Sequence, residues 1–212
     1  MINLLASILL LLAFAMLSQR RIKSLIKLFI VQGMTLVANT LVIASTTNQT
    51  HLYYSALLTF ILKVVILPWI LLRMIRRLNV EWDVETLINI PSTMLVGIAI
   101  VIVSFNLALP ISQLAGTVAK STIGIAMACV LLSLLMMITR SKAISQVIGF
   151  LAMENGLFFA ATSTTYGMPM VVELGVALDV LVGVLILGVF FFQIREKFES
   201  LDLKHMERAK EE

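Results

Sequence analysis

The chain is a succession of long apolar runs broken by short polar turns. The runs fall at about 2–18, 25–45, 52–72, 88–109, 117–138, 144–165 and 170–192. A bilayer core takes roughly 17–25 residues of helix, so each run is long enough to cross it. The pattern predicts an all-α integral membrane protein of about seven transmembrane helices.

The basic residues arrange themselves around these runs. Arg20, Arg21, Lys23 and Lys27 follow the first, and Arg73, Arg76 and Arg77 follow the third. Arg140 and Lys142 follow the fifth, and Arg195, Lys197, Lys204, Arg208 and Lys210 follow the seventh. The turns Ser45–Thr50 and Pro110–Gly116 carry no Lys or Arg. By the positive-inside rule the N-terminus is outside, the C-terminus is cytoplasmic and the number of spans is odd. A secretory signal places its positive charge before the apolar stretch. Here the charge follows it, and the first run reads as a retained helix.

Three parts emerge. Residues 1–116 form an N-terminal four-helix part, 117–192 a three-helix part, and 193–212 a polar cytoplasmic tail. In the tail Ile194, Phe198 and Leu201 recur at helical spacing, as expected of a solvated helix or a docking helix. The connection Asn79–Thr86 holds Glu81, Asp83 and Glu85 beside Trp82. An internal repeat is also visible. Arg21-x-Lys23 and Arg140-x-Lys142 both follow an apolar run, and Met34 and Met153 each lie thirteen residues after the Arg. The intervening span would leave the two units in the same orientation, as in parallel transporter repeats.

Composition narrows the function classes. Only 13% of the 212 residues are charged and 60% are hydrophobic, against about 25% charged in soluble chains. The net charge of +4 belongs to membrane orientation and not to a nucleic-acid surface. Cys129 is the only cysteine, so this chain supplies neither a disulfide nor the several thiolates of an iron–sulfur cluster. His51 and His205, the only histidines, lie away from span centres and do not read as haem ligands. No phosphate-binding glycine loop, metal cluster, GxSxG or nucleophile–histidine pair is present. The sequence therefore predicts no cofactor, no metal and no catalytic residue in this chain. The twelve methionines, Met136-Met137 included, read as apolar filling.

What remains is charge at membrane depth. Intramembrane acids and bases cost at least about 2.5–3.5 kcal/mol on insertion scales and are functional candidates by default. Lys63, Glu154 and Asp179 lie near the centres of three runs, so the three form an expected polar layer. Burial disfavours the charged form of such groups, which suits a proton relay; a buried ion pair that fixes packing is the structural alternative. Pro68 follows Lys63 and should kink its helix, freeing a carbonyl near the ammonium. Asp179 lies four residues from Gly175 and from Gly183, so a neighbouring backbone can approach its face. Glu154 lines up with Gln146, Phe150, Phe158 and Thr162 at four-residue steps. Glu173 and Lys120, near the outer ends of their runs, are accessory candidates that can pair or snorkel to water.

These residues carry a resemblance. In 125–192, Arg140 precedes Ile148-Gly149 and Met153-Glu154-Asn155, and Asp179 precedes Gly183 by four residues. This part resembles the three-helix membrane subunit K of respiratory complex I and its counterpart in multisubunit cation/proton antiporters. That family places its second-helix acid at the position of Leu151; here the acid is Glu154, nearly one turn further along. The whole chain resembles the hydrogenase-4 component E family, most closely in Glu173-Leu-Gly-Val-Ala-Leu-Asp179-Val-Leu-Val-Gly183 and in Phe60-Ile-Leu-Lys63-Val-Val-Ile-Leu-Pro68-Trp69. The second stretch is also similar to the lysine-bearing helix of antiporter-like subunits. The resemblance implies a non-catalytic, multi-pass subunit of a membrane-bound hydrogenase or formate hydrogenlyase-like complex in the inner (plasma) membrane. Its implied partners are antiporter-like and complex I-like membrane subunits and a cytoplasmic hydrogenase arm. Lys63, Glu154 and Asp179 are its expected relay for H⁺ or Na⁺. A stand-alone secondary ion transporter and a purely structural anchor are the other readings.

The charge pattern makes a direct topological prediction. A cysteine at Thr47 should react with an impermeant thiol reagent added outside intact cells, and one at Ser141 should not. The reverse labelling would overturn the orientation.

Overall fold

The computed structural model describes residues 1–47, 50–78, 87–114 and 119–165, together with Gly175, Ala177, 180–183 and 185–186. Within them the chain forms seven α-helices, one π-helical segment and no strand. The helices are α1 (Ile2–Ser18), α2 (Ile22–Thr47), α3 (Thr50–Thr59), α4 (Leu67–Leu78), α5 (Ile90–Leu114), α6 (Ala119–Thr139) and α7 (Ala143–Thr164). The π segment, Phe60–Ile66, joins α3 to α4 without a break. Five helical stretches are long and apolar enough to cross a membrane, the second of them running continuously from Thr50 to Arg76, and α1 is a shorter apolar helix. The seventh expected run is described only at Gly175, Ala177, 180–183 and 185–186, all helical. The tail 193–212 and the acidic connection 79–86 lie outside the described residues.

The helices outrun the apolar stretches that predicted them. Lys23 and Lys27 lie within α2, and Arg73 and Arg76 within α4, rather than in loops. A helix satisfies its own backbone beyond the bilayer core, and long basic side chains reach water from its last turns. The expected turn at Pro110 is likewise helix, since α5 continues to Leu114 with Pro110 inside it. At the far end of α2, Ser45, Thr46 and Thr47 donate their hydroxyls back to the carbonyls of Val42 and Ile43. Those bonds hold polar residues in helix up to its end.

Two hairpins make the centre of the bundle. α1 packs on α2 and α6 on α7, and the hairpins then meet, α1 against α6 and α2 against α7. The α3–π–α4 rod lies along α2, and α5 covers α6 and α1. Buried side chains from all four central helices and from α4 join one apolar core. α5 keeps Leu95, Val96, Ile98, Ile102 and Val103 exposed, an outward apolar face that suits lipid.

The two hairpin turns are three residues each, 19–21 and 140–142, and they lie side by side. Arg140 joins them. It is 1% exposed, and its Nη2 donates to the Leu17 carbonyl at 2.7 Å and the Met16 carbonyl at 3.5 Å. These are last-turn carbonyls of α1, at the negative end of its dipole, and that of Met16 also accepts the Gln19 N–H at 3.3 Å. Burial lowers the Arg140 pKa from its usual value, but an arginine still stays protonated. The Arg140 carbonyl in turn accepts from Gln146 Nε2 at 2.8 Å. Because both turns lie at one end, α2 and α7 leave it in the same direction, and α3 returns antiparallel to them.

Arg140→Leu should therefore loosen the contact between hairpins and destabilise the protein by about 1–3 kcal/mol. Thermal unfolding in detergent should show the loss, and the exposed Arg20→Leu should show almost none.

Candidate functional site: a buried polar layer

Lys63 occupies the middle of the π segment. In an α-helix the Pro68 ring would clash with the carbonyl four residues back, and it has no N–H to give. The chain answers by widening the turn just before it. The Leu67 N–H reaches the Leu62 carbonyl, five residues back. The expected kink is thus realised as a change of register, of a kind common at functional sites. Gly33 of α2 faces this turn. A Cβ there would lie 3.4 Å from Val64 Cγ2 and 3.5 Å from Lys63 Cβ, in ordinary van der Waals contact, so α2 packs directly on the lysine turn at this position.

The Lys63 ammonium points between α2 and α7 and is 1% exposed. Its Nζ donates to Asn155 Oδ1 at 2.7 Å and lies 3.9 Å from Glu154 Oε1. The ring of Phe158 is 5.5 Å away, measured to its centroid. Asn155 Nδ2 then donates to Gln32 Oε1 at 3.2 Å, which ties α7 to α2. Gln32 and Asn155 are fully buried, and Glu154 is 3% exposed. A charge so far from water is tolerated only when it is paired and hydrogen-bonded. Lys63 meets that condition through Asn155 and Glu154, and the layer draws one residue or two from each of three helical rods.

The structure brings together two of the three expected relay residues, Lys63 and Glu154. Leu151 is buried in α7 one turn before Glu154. Asp179 and Glu173 lie outside the described residues, and Lys120 lies in α6 with its side chain outside them. Of the glycines that flank Asp179 in sequence, Gly175 abuts the Phe158 ring and Gly183 lies against Leu67. Among the described residues no group of three His, Cys, Asp or Glu side chains could hold a metal.

Sequence reasoning gave no role to the neutral amides. Gln32, Asn39 and Asn155 are all 0% exposed. A signal was present, since Gln32 and Asn39 stand seven residues apart on one face of α2. Arg140 was read only as an orientation charge; its side chain is buried, while Ser141 beside it in the turn is exposed.

Comparison with known proteins places this geometry among relatives. Over 194 residues the chain is 30% identical to Rv0085, an uncharacterized protein of Mycobacterium tuberculosis, covering 91% of this chain and 88% of that one. Over 151 residues it is 24% identical to hydrogenase-4 component E of Escherichia coli, covering 71% of this chain and 70% of the relative. The same figures hold for hydrogenase-4 component E of Shigella flexneri. No protein-family model matches the chain, and no solved structure matches it. The chain is a helical membrane protein distantly homologous to hydrogenase-4 component E.

Asn155 is the joint of the layer, holding Lys63 with one end of its amide and Gln32 with the other. Asn155→Leu should cost about 2–3 kcal/mol, because a buried ammonium and a buried amide each lose a partner. Combined with Lys63→Met it should cost less than the sum of the two single changes. Additive losses in thermal unfolding would show that the two side chains are not coupled.

Proposed function

We propose that this chain, which belongs to the same family as Rv0085 of Mycobacterium tuberculosis, is a non-catalytic membrane subunit of a hydrogenase-type complex. In this reading it crosses the inner membrane several times, with its N-terminus outside and its C-terminal tail in the cytoplasm. It helps couple redox chemistry in partner subunits to movement of protons, or of Na⁺, through the membrane. The distant homology to hydrogenase-4 component E supports the kind of assembly. The resemblance of 125–192 to complex I subunit K supports antiporter-like and complex I-like membrane neighbours and a cytoplasmic hydrogenase arm.

One observation carries the coupling role. Lys63 and Glu154 stand 3.9 Å apart, both buried, at the middles of two helical rods. Apolar packing alone would hold these rods together at less electrostatic cost. A base and an acid retained at that depth are the equipment for taking up and releasing a proton. The amides of Asn155 and Gln32 orient the ammonium without titrating themselves. Asp179, between two glycines that touch Phe158 and Leu67, is the third member of the proposed relay. Lys120 and Glu173 are its accessory groups. No step of electron transfer is assigned to this chain, whose single cysteine is buried in α6.

The test is proton-to-electron stoichiometry in vesicles that hold the assembled complex. Glu154→Gln and Asp179→Asn keep volume and remove titration. Both should leave an assembled complex whose redox turnover continues or slows while fewer protons move per electron. Normal stoichiometry in both variants would remove the relay. Loss of assembly in Lys63→Met, with normal pumping in the two acid variants, would favour the packing role instead.

A further inference from the structure

The polar layer is not symmetric about itself. From Lys63 and Asn155 toward the hairpin turns, the buried residues of α2 are Phe29, Ile26, Leu25 and Ile22. Those of α7 on this side are Ala152, Leu151, Gly149 and Ile148, with Ser145 and Ile144 nearer the turn. α4 adds Leu67, Ile70 and Leu71. Apolar side chains therefore fill the bundle between the layer and Ser145; at the turn itself the buried Ser145 hydroxyl and Nε and Nη1 of Arg140 are unmatched among the described residues.

The other half differs. Asn39 lies seven residues beyond Gln32, about 10 Å along the same face of α2, and is 0% exposed. Neither its Nδ2 nor its Oδ1 forms a hydrogen bond among the described residues. Thr59 lies one turn from Lys63 in the same direction, is also 0% exposed, and its Oγ1 is likewise unmatched there. On α7, parallel to α2, the residue seven beyond Asn155 is Thr162, and beside it the Ser163 hydroxyl is buried and unmatched. Gln32 Nε2, inside the layer, is unmatched as well. Three rods thus aim unmatched donors and acceptors into one half of the bundle. Buried polar atoms of this kind are satisfied by internal water, which takes two to four partners and occurs where the lining is polar.

We infer that Asn39 and Thr59 hold a short file of water that joins the Lys63–Glu154 layer to the end of the bundle where α2 meets α3. The half beside the hairpin turns is a dry apolar plug. The proposal rests on the relay reading only for what the water carries; access itself follows from the placement of the polar atoms. Ser163 and Gln32 are its second wall and its inner end. The file gives the layer one-sided contact with the aqueous phase, and any passage to the other side requires the plug, or a partner subunit, to move.

The test is thiol accessibility in membranes that hold the native complex, in a Cys129→Ala background. Thr59→Cys is nearly isosteric and keeps the fold. It and Asn39→Cys should react with a small cationic methanethiosulfonate from the face that labels the exposed Thr46→Cys. Ile148→Cys, in the plug, should stay unlabelled from both faces. Protection of positions 39 and 59 while position 46 reacts would overturn the proposal, as would ready labelling of position 148. If 39 and 59 react but Glu154→Gln pumps normally, the water path stands and the relay reading fails.

Discussion

The structure is organised around one electrostatic demand, a lysine ammonium held in a space without bulk water. An isolated buried charge costs far more than a folded protein's net stability can absorb. Everything close to Lys63 answers that demand. Asn155 gives it a carbonyl oxygen at 2.7 Å, Glu154 sets a carboxylate at 3.9 Å, and Phe158 turns its ring toward it. For these groups to converge, α2, α7 and the α3–π–α4 rod must lie close together, and Gly33 of α2 packs directly on the lysine turn. The π turn before Pro68 is the local adjustment of backbone that lets the lysine sit there.

Much of this was legible in the sequence, for physical reasons that differ by residue. Charge at membrane depth is rare enough to stand out, so Lys63 and Glu154 announced themselves from their places in apolar runs. The helices were equally plain, because lipid leaves the backbone few other ways to bond itself. Neutral amides gave no such signal. Gln32 and Asn39 cost less to bury than charges, and one sequence does not show what they touch. The clamp made by Arg140 was not legible, because a basic residue in a turn looks the same in sequence whether its side chain meets water or the last carbonyls of a neighbouring helix. Pro68 foretold a disturbance, but whether a proline kinks a helix or shifts its register is decided by the neighbours that must be accommodated.

The acid of α7 owes its place to helical periodicity. Glu154 sits three residues beyond the buried Leu151. On a helix three residues return nearly to the same face. The side chain therefore still looks toward α2 and the π segment, where Lys63 meets it from the rod antiparallel to α7. The ion pair is a property of faces and levels more than of sequence position.

The guanidinium between the two hairpins gives the bundle a mechanical grain. With Arg140 gripping the last carbonyls of α1, the four central helices are pinned at the end that carries both turns. At the far end, among the described residues, the hydroxyls of Thr46 and Thr47 bond to carbonyls of their own helix. A bundle pinned in this way has its pivot at the turns, as a pair of tweezers does. Rocking about that pivot would grow with distance from it, and Asn39 and Thr59 lie on the far side of the layer from Arg140.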